Sequence, residues 1–293
     1  MPISIPRFVT SQLRPTKFGW PGAISRIRSA ACLATLLLAL VLPAHALTDK
    51  EEIALGKRMG PRLEAYLGGV LPLKDRLSRR ISQIGAGLAR HTTRGMPISY
   101  SVLDNDDVIN AFAGPGGRIY ITRRLIHMAE SDEEIAAVLA HETGHVDKRH
   151  VAQSYESHER AQKQMRKLSH GLLGNMVKSD EGSVLSVATS VFFVLMQQGY
   201  SREKESEADA YGARALTRLG YDPRASIRVL QKLAYQKQLE GETPAYLSRH
   251  PPMAQRCKDI GALITREHLV EVAGKFRPKA NAVRRHRRSR RRR

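Results

Sequence analysis

The stretch Ser131-Asp132-Glu133-Glu134-Ile135-Ala136-Ala137-Val138-Leu139-Ala140-His141-Glu142-Thr143-Gly144-His145-Val146 decides how the rest of the chain is read. Ser131 followed three residues later by Glu134 is a capping-box pattern, so a helix opens here. Ile135, Val138, Leu139 and Val146 form an apolar stripe that would hold it in a core, and the pattern predicts one long helix running past His150. On it His141 and His145 are i, i+4, so both imidazoles leave one face at a separation suited to a single tetrahedral metal ion. Glu142 falls about 100° further round, within reach of a water on that metal without being a ligand. The chain has 11 His and 17 Glu, so a His-Glu-x-x-His match is expected by chance only about 0.02 times. A metal site is therefore the better reading than a helix whose histidines merely pair with Glu130 or Asp147.

Two histidines leave a catalytic zinc one protein ligand short. Ser201-Arg202-Glu203-Lys204-Glu205-Ser206-Glu207-Ala208-Asp209 offers carboxylates on a further predicted helix. Glu205 and Asp209 share a face with the small residues Ala208 and Gly212, so that face can pack closely on the first helix. Spacing favours Glu205 over Glu207 as the third ligand. Asp209 then falls one turn on, placed to accept a hydrogen bond from a ligand histidine and fix its tautomer. Glu203 and Glu207 share another face that can stay in water, and a wholly solvated charge run is the plain alternative.

Outward from these motifs, residues 50–90 show helical spacing interrupted by Gly68-Gly69 through Pro72, which predicts two helices and a turn. Ile98 to Leu103 alternates like a strand. Val108 to Ala113, Gly114-Pro115-Gly116-Gly117 and Arg118 to Thr122 read as a hairpin around a glycine-rich turn. Residues 156–170 are a polar helical extension, and Ser183 to Met196 is an apolar helix too short to span a bilayer. Helices continue through 202–240 and 252–273. The fold class is α+β, mainly α-helical, with a zincin-type active-site helix beside a small sheet or hairpin.

The 293-residue chain is 42% hydrophobic and 26% charged, enough for a packed core, with a net charge of +20. That charge sits at the ends: five Lys/Arg and no acid in residues 1–46, eleven and no acid in 275–293, which leaves +4 for residues 47–274. The body is only mildly basic, so no specific nucleic-acid partner is expected. Arg26 and Arg28, the apolar run Ala30–Leu42 and the small residues of Pro43-Ala44-His45-Ala46 read as a secretory signal cleaved after Ala46. An uncleaved anchor is disfavoured because 13 apolar residues rise only about 20 Å. Cleavage leaves Cys257 as the single cysteine, which excludes an internal disulfide and is ordinary for the bacterial periplasm. The expected organisation is a signal over 1–46, a metallopeptidase domain over 47–274 and a disordered Arg-rich tail over 275–293. The tail, with eight arginines in Arg284–Arg293, either attracts an anionic membrane or lipopolysaccharide or is simply solvated.

Several segments together resemble the HtpX-like and BepA-like zinc metallopeptidases, family 48 of the gluzincin group. They are Asn110-Ala111-Phe112-Ala113 with Pro115-Gly116-Gly117, Ala140-His141-Glu142-Thr143-Gly144-His145-Val146, Arg149-His150, Ser201-Arg202, Glu205, Ala208-Asp209, and His250-Pro251-Pro252 with Arg256. The resemblance implies one zinc ion per chain, Glu205 as its third ligand, and a proteolytic fold with a small sheet beside the active-site helix. Glu142 would act as general base and return the proton to the leaving amine. His250 would stabilise the oxyanion or serve as a reversible fourth ligand that keeps the enzyme latent; a turn before Pro251-Pro252 is its plain alternative. Arg256 would orient His250 or bind substrate. The strand Asn110 to Ala113 would pair with an extended peptide through backbone hydrogen bonds, which reads unfolded chain more than side chains. The expected substrates are therefore unfolded or misassembled envelope proteins, in quality control of the periplasm or outer membrane, with a chaperone-like factor carrying a latent site as the alternative. Arg124 stands where relatives often have Gly. No tetratricopeptide-like repeats follow residue 274, so partner docking through such repeats is not carried over.

Overall fold

The computed structural model describes residues 46–173, 199–241, 243–250 and 253–276. The signal up to His45, the apolar helix expected over 183–196, Pro251-Pro252 and the tail from Arg277 lie outside the described residues.

Helix α1 (Asp49–Tyr66) opens on a complete capping box, with Thr48 accepting from the Glu51 amide and Glu51 accepting from the Thr48 amide at 2.8 Å. Helix α2 (Arg76–Ala89) is capped by Asp75, which accepts from Leu77 N at 2.7 Å. Gly68 and Gly69, both at positive φ, turn the chain between them. This is the two-helix unit expected over 50–90. Strands β1 (Ser99–Leu103), β2 (Ala111–Gly114) and β3 (Arg118–Thr122) form one sheet in the order β1-β3-β2, with β1 parallel and β2 antiparallel to β3. The hairpin is present, but its first strand begins at Ala111 instead of Val108. The Asn105 side chain accepts from the amides of Asp107 and Val108, an Asx turn that competes with strand pairing until that point.

Helix α3 (Arg123–Met128) leads into α4 (Asp132–Asp147), the helix that carries the decisive motif and is buried from Glu134 to Asp147. Its cap is only half the expected box. Ser131 accepts from Glu134 N at 3.2 Å, but Glu134 reaches back to the Glu130 amide and also binds Lys232. The long helix expected past His150 does not form: α4 stops at Asp147, Arg149 takes φ 60°, and α5 (His150–Leu173) starts afresh. Tertiary bonds override the helical pattern here. Asp147 accepts from the Thr93 and Arg94 amides at 2.6 and 3.2 Å, and Arg149 pairs with Asp49 at 3.0 Å. The chain then forms α6 (Arg202–Arg218), α7 (Ala225–Glu240), α8 (Ala245–Arg249), α9 (Met253–Arg266) and α10 (Leu269–Phe276). The result is mainly helical with one small sheet, as the sequence predicts.

Helix α4 lies at the centre, with β2 against one side and α6 against another. Two glycines set the α4–α6 distance. A Cβ on Gly144 would stand 3.1 Å from Ala208 Cα, and one on Gly212 would stand 3.3 Å from His141 N. The backbones therefore approach closely enough for short carboxylate side chains on α6 to reach the histidines of α4.

Candidate metal centre

The close approach of α4 and α6 brings His141 Nε2 and His145 Nε2 to 3.0 Å, with Glu205 oxygens 3.6 Å from His141 Nε2 and 3.5 Å from His145 Nε2. Ligand atoms 2.0–2.1 Å from a tetrahedral ion stand about 3.3–3.5 Å apart; the two imidazole nitrogens and the Glu205 carboxylate, one oxygen toward each ring, converge at close to that spacing. His250, which follows α8, contributes a fourth atom: its Nδ1 is 3.3 Å from His141 Nε2 and 2.8 Å from a Glu205 oxygen. All four side chains are buried and their candidate ligand atoms lie within 4.8 Å of one another. The donor set fits a cation chemically as well. Three imidazoles and one carboxylate are the nitrogen and oxygen donors that zinc takes, and Glu142 Oε1 and His250 Nε2 are buried beside them without a hydrogen-bond partner among the described residues.

Glu142, next on α4, points to the same space without belonging to the ligand polygon; its Oε1 is 3.6 Å from His250 Nε2. Burial pushes its carboxyl upward against the pull of His141, Arg249 and the Ala113 amide, which suits a group that must take up a proton. Burial also drives His145 and His250 well below the usual imidazole range, so both are neutral and free to ligate. His141 is raised despite burial and Arg256, because Asp209 accepts from its Nδ1 at 2.8 Å.

Asp209 and Arg256 form a buried pair. Arg256 donates to both Asp209 oxygens at 2.8 and 2.7 Å, to the His250 carbonyl at 2.8 Å, and approaches Glu205 Oε2 at 3.1 Å. Although burial opposes it, Arg256 and His141 hold the Asp209 carboxyl well below the usual range. Arg256 is thus a tie between α9, α6 and the His250 turn, and it stays buried beneath the site.

Of the expected substrate strand, Ala111, Phe112 and Ala113 lie in β2 at the sheet edge, while Asn110 just precedes it with a buried, unpartnered Oδ1 among the described residues. All four residues of β2 are buried, backbone included. Arg124 holds the loop before it, donating to the Asp106 carbonyl at 3.2 Å and pairing with Glu240 at 2.6 Å. Glu207 stays on the solvent side as expected, with 59% of its side chain exposed, and its carboxylate also meets His150 at 2.9 Å.

Four residues around the site carried no assigned role in the sequence. His150 contacts His145 at 3.0 Å between Nδ1 atoms. Tyr200 stacks on the His145 ring at 3.9 Å between centroids, and Tyr246 stacks on His250 at 4.6 Å. Arg249 lies over the Phe112 ring at 5.5 Å. His150 follows Arg149 inside a quoted motif, but on an unbroken helix it would face away from His145, so spacing pointed the wrong way. The two tyrosines and Arg249 have no periodic signal.

Helix, edge strand and a buried two-histidine, one-carboxylate cluster with a second carboxylate beside it are together of the metallopeptidase class. The comparison with known families agrees: residues 75–264 match peptidase family M48, and the chain belongs to that family. It is 32% identical over 188 residues to a beta-barrel assembly-enhancing protease of Yersinia pestis, covering 62% of this chain and 38% of that protein. It is 30% identical over 209 residues to the protein of that name from Escherichia coli K12, covering 69% and 42%. It is 27% identical over 219 residues to the metalloprotease LoiP of Escherichia coli K12, covering 74% and 82%. The chain thus spans about two fifths of the length of the two assembly-enhancing proteases. Family membership implies a metal cofactor, for which the four-residue cluster is the matching group among the described residues.

Proposed function

We propose that this chain is a zinc-dependent endopeptidase that hydrolyses unfolded or misassembled exported proteins in the bacterial envelope. The observation that carries the reading is the convergence of His141 Nε2, His145 Nε2 and the Glu205 carboxylate beside the carboxylate of Glu142. Zinc bound there supplies Lewis-acid polarisation and acidifies a water to a pKa of about 7. Glu142 takes the proton of the attacking water on its carboxylate and returns it to the leaving amine. Asp209 fixes His141 with Nδ1 protonated, and Arg256 holds Asp209 in place. An extended peptide pairs with the backbone at Ala111–Gly114 when this buried β2 edge is uncovered, with Asn110 at the start of the strand. Recognition of backbone suits unfolded chains of varied sequence. The beta-barrel assembly-enhancing proteases and LoiP support an envelope setting by similarity. The basic and apolar segment before Leu47 supports export to the periplasm, and the arginines after residue 283 support contact with anionic lipid or lipopolysaccharide. Among the described residues no helix is long and apolar enough to cross a membrane.

One observation favours a second reading, a latent protease acting as an assembly factor. His250 Nδ1 sits among the candidate ligand atoms, 2.8 Å from Glu205 and 3.3 Å from His141, where it would supply a fourth protein donor in place of the open position that a catalytic zinc keeps. Metal content and casein cleavage of the wild type, Glu142→Gln and His250→Ala separate the two. An active protease binds one zinc per chain, and Glu142→Gln retains the metal while losing about 10²–10⁴-fold in turnover. A latent one binds zinc, cleaves poorly, and gains activity in His250→Ala. Absence of metal from the zinc-supplied wild type would sink both.

A further inference from the structure

His150 has no part in the chemistry above, yet it is 2% exposed and contacts the centre. Its Nδ1 lies 3.0 Å from His145 Nδ1 and its Nε2 lies 2.9 Å from Glu207 Oε2. Proton bookkeeping over these contacts has one solution for neutral rings. An ionised carboxylate only accepts, so His150 Nε2 carries that ring's proton and its Nδ1 is a bare acceptor. Two facing nitrogens share one proton, so His145 must carry its own on Nδ1. Its Nε2 lone pair then faces the His141 Nε2 lone pair and Glu205, 3.0 and 3.5 Å away, a meeting of acceptors that a bound cation between them would satisfy in place of a proton.

The backbone is bent to make this contact. On a continuous helix residues five apart point about 140° away from each other and cannot face. Arg149 instead adopts φ 60°, held by its amide bond to Val146 O at 3.0 Å and its ion pair with Asp49. A non-glycine residue in this region next to a site is strain retained for a purpose. Helix α6 supplies the other half: Glu205 faces the centre, and Glu207, two residues on, reaches His150 from the solvent side with 59% of its side chain exposed.

We propose that Glu207 and His150 form a tautomer lock on His145, so that an exposed carboxylate outside the metal shell sets which nitrogen of a buried ligand is offered to the ion. Glu207 and His150 are positioning residues. The inference rests on His145 being a metal ligand, as proposed above.

The test measures zinc affinity of the purified chain by chelator competition, with nitrogen-15 spectra of the histidine rings in the zinc-free protein. Glu207→Gln keeps an acceptor for His150 Nε2 and is expected to bind zinc within about threefold of wild type. Glu207→Lys presents a donor instead, forces His150 toward Nδ1–H and His145 toward Nε2–H, and lowers zinc affinity by about 10–100-fold. Glu203→Lys makes the same charge change on an exposed position of the same helix and is expected to stay within about threefold. The His145 ring is expected to be Nδ1-protonated in wild type and to shift in Glu207→Lys alone. Equal losses in Glu207→Lys and Glu203→Lys, or a wild-type His145 protonated on Nε2, would overturn the lock. Zinc affinity unchanged in His145→Ala is a separate outcome, which removes the ligand reading and the lock together.

Discussion

The two histidines of α4 stand one turn apart in the same helix, yet the structure supports them by different means. Behind His141 lies Asp209, itself gripped by Arg256, a charged pair whose side chains are only 8% and 5% exposed. Behind His145 lies His150 and then Glu207, a chain of rings that ends at an exposed carboxylate. The first arrangement fixes a ligand by a deeply buried charge, whose removal leaves its partner stranded. The second fixes a ligand by hydrogen-bond direction alone and can be altered from the surface. The proposed metal centre therefore has a side where mutation threatens the fold and a side where mutation addresses only the proposed ligand.

Arg256→Met breaks the first side most severely. It leaves Asp209 buried without its cation, and removal of one partner of a buried pair costs about 3–5 kcal/mol. Thermal melting should fall by several degrees or more, with zinc binding lost alongside; a melting temperature within one degree of wild type would show that the pair is not structural. Asp209→Asn is milder, because the amide preserves shape while weakening the hold on His141. Zinc affinity should drop by about 10–100-fold with the melt changed less than in Arg256→Met, as read by chelator competition and calorimetry on one preparation. Gly144→Ala probes what the two sides share. Its Cβ would meet Ala208 at 3.1 Å, so α6 must shift slightly, at a cost of about 1–3 kcal/mol, and both ligand supports should weaken together. Loss on only one side would show that the helices move independently of the α4–α6 contact.

Much of the fold was legible because its signals are local. Ser131 caps the helix that it announces. Gly116 and Gly117 take the positive φ that the hairpin turn requires. The face of α6 bearing Glu205, Ala208, Asp209 and Gly212 could be read from spacing because a helix repeats every 3.6 residues. The strand start at Ala111 was missed because an Asn105 side-chain turn outcompetes pairing. The halt of α4 at Asp147 was missed because its causes, Thr93, Arg94 and Asp49, lie more than 50 residues away in the chain.

The sequence by itself determined the chemistry on offer: two imidazoles on one helical turn, a carboxylate beside them, and another helix whose small residues let a glutamate approach. These follow from covalent spacing and helical geometry, which need no partner. Only the tertiary structure decided that the sheet runs β1-β3-β2 with β2 at its edge, that His250 comes within reach of His141, His145 and Glu205, and that Arg256 sits beneath them. It also turned His150 back onto His145 through a left-handed Arg149. Those outcomes depend on which distant groups bury together, and contacts between segments far apart in the chain leave no period in the sequence to be read.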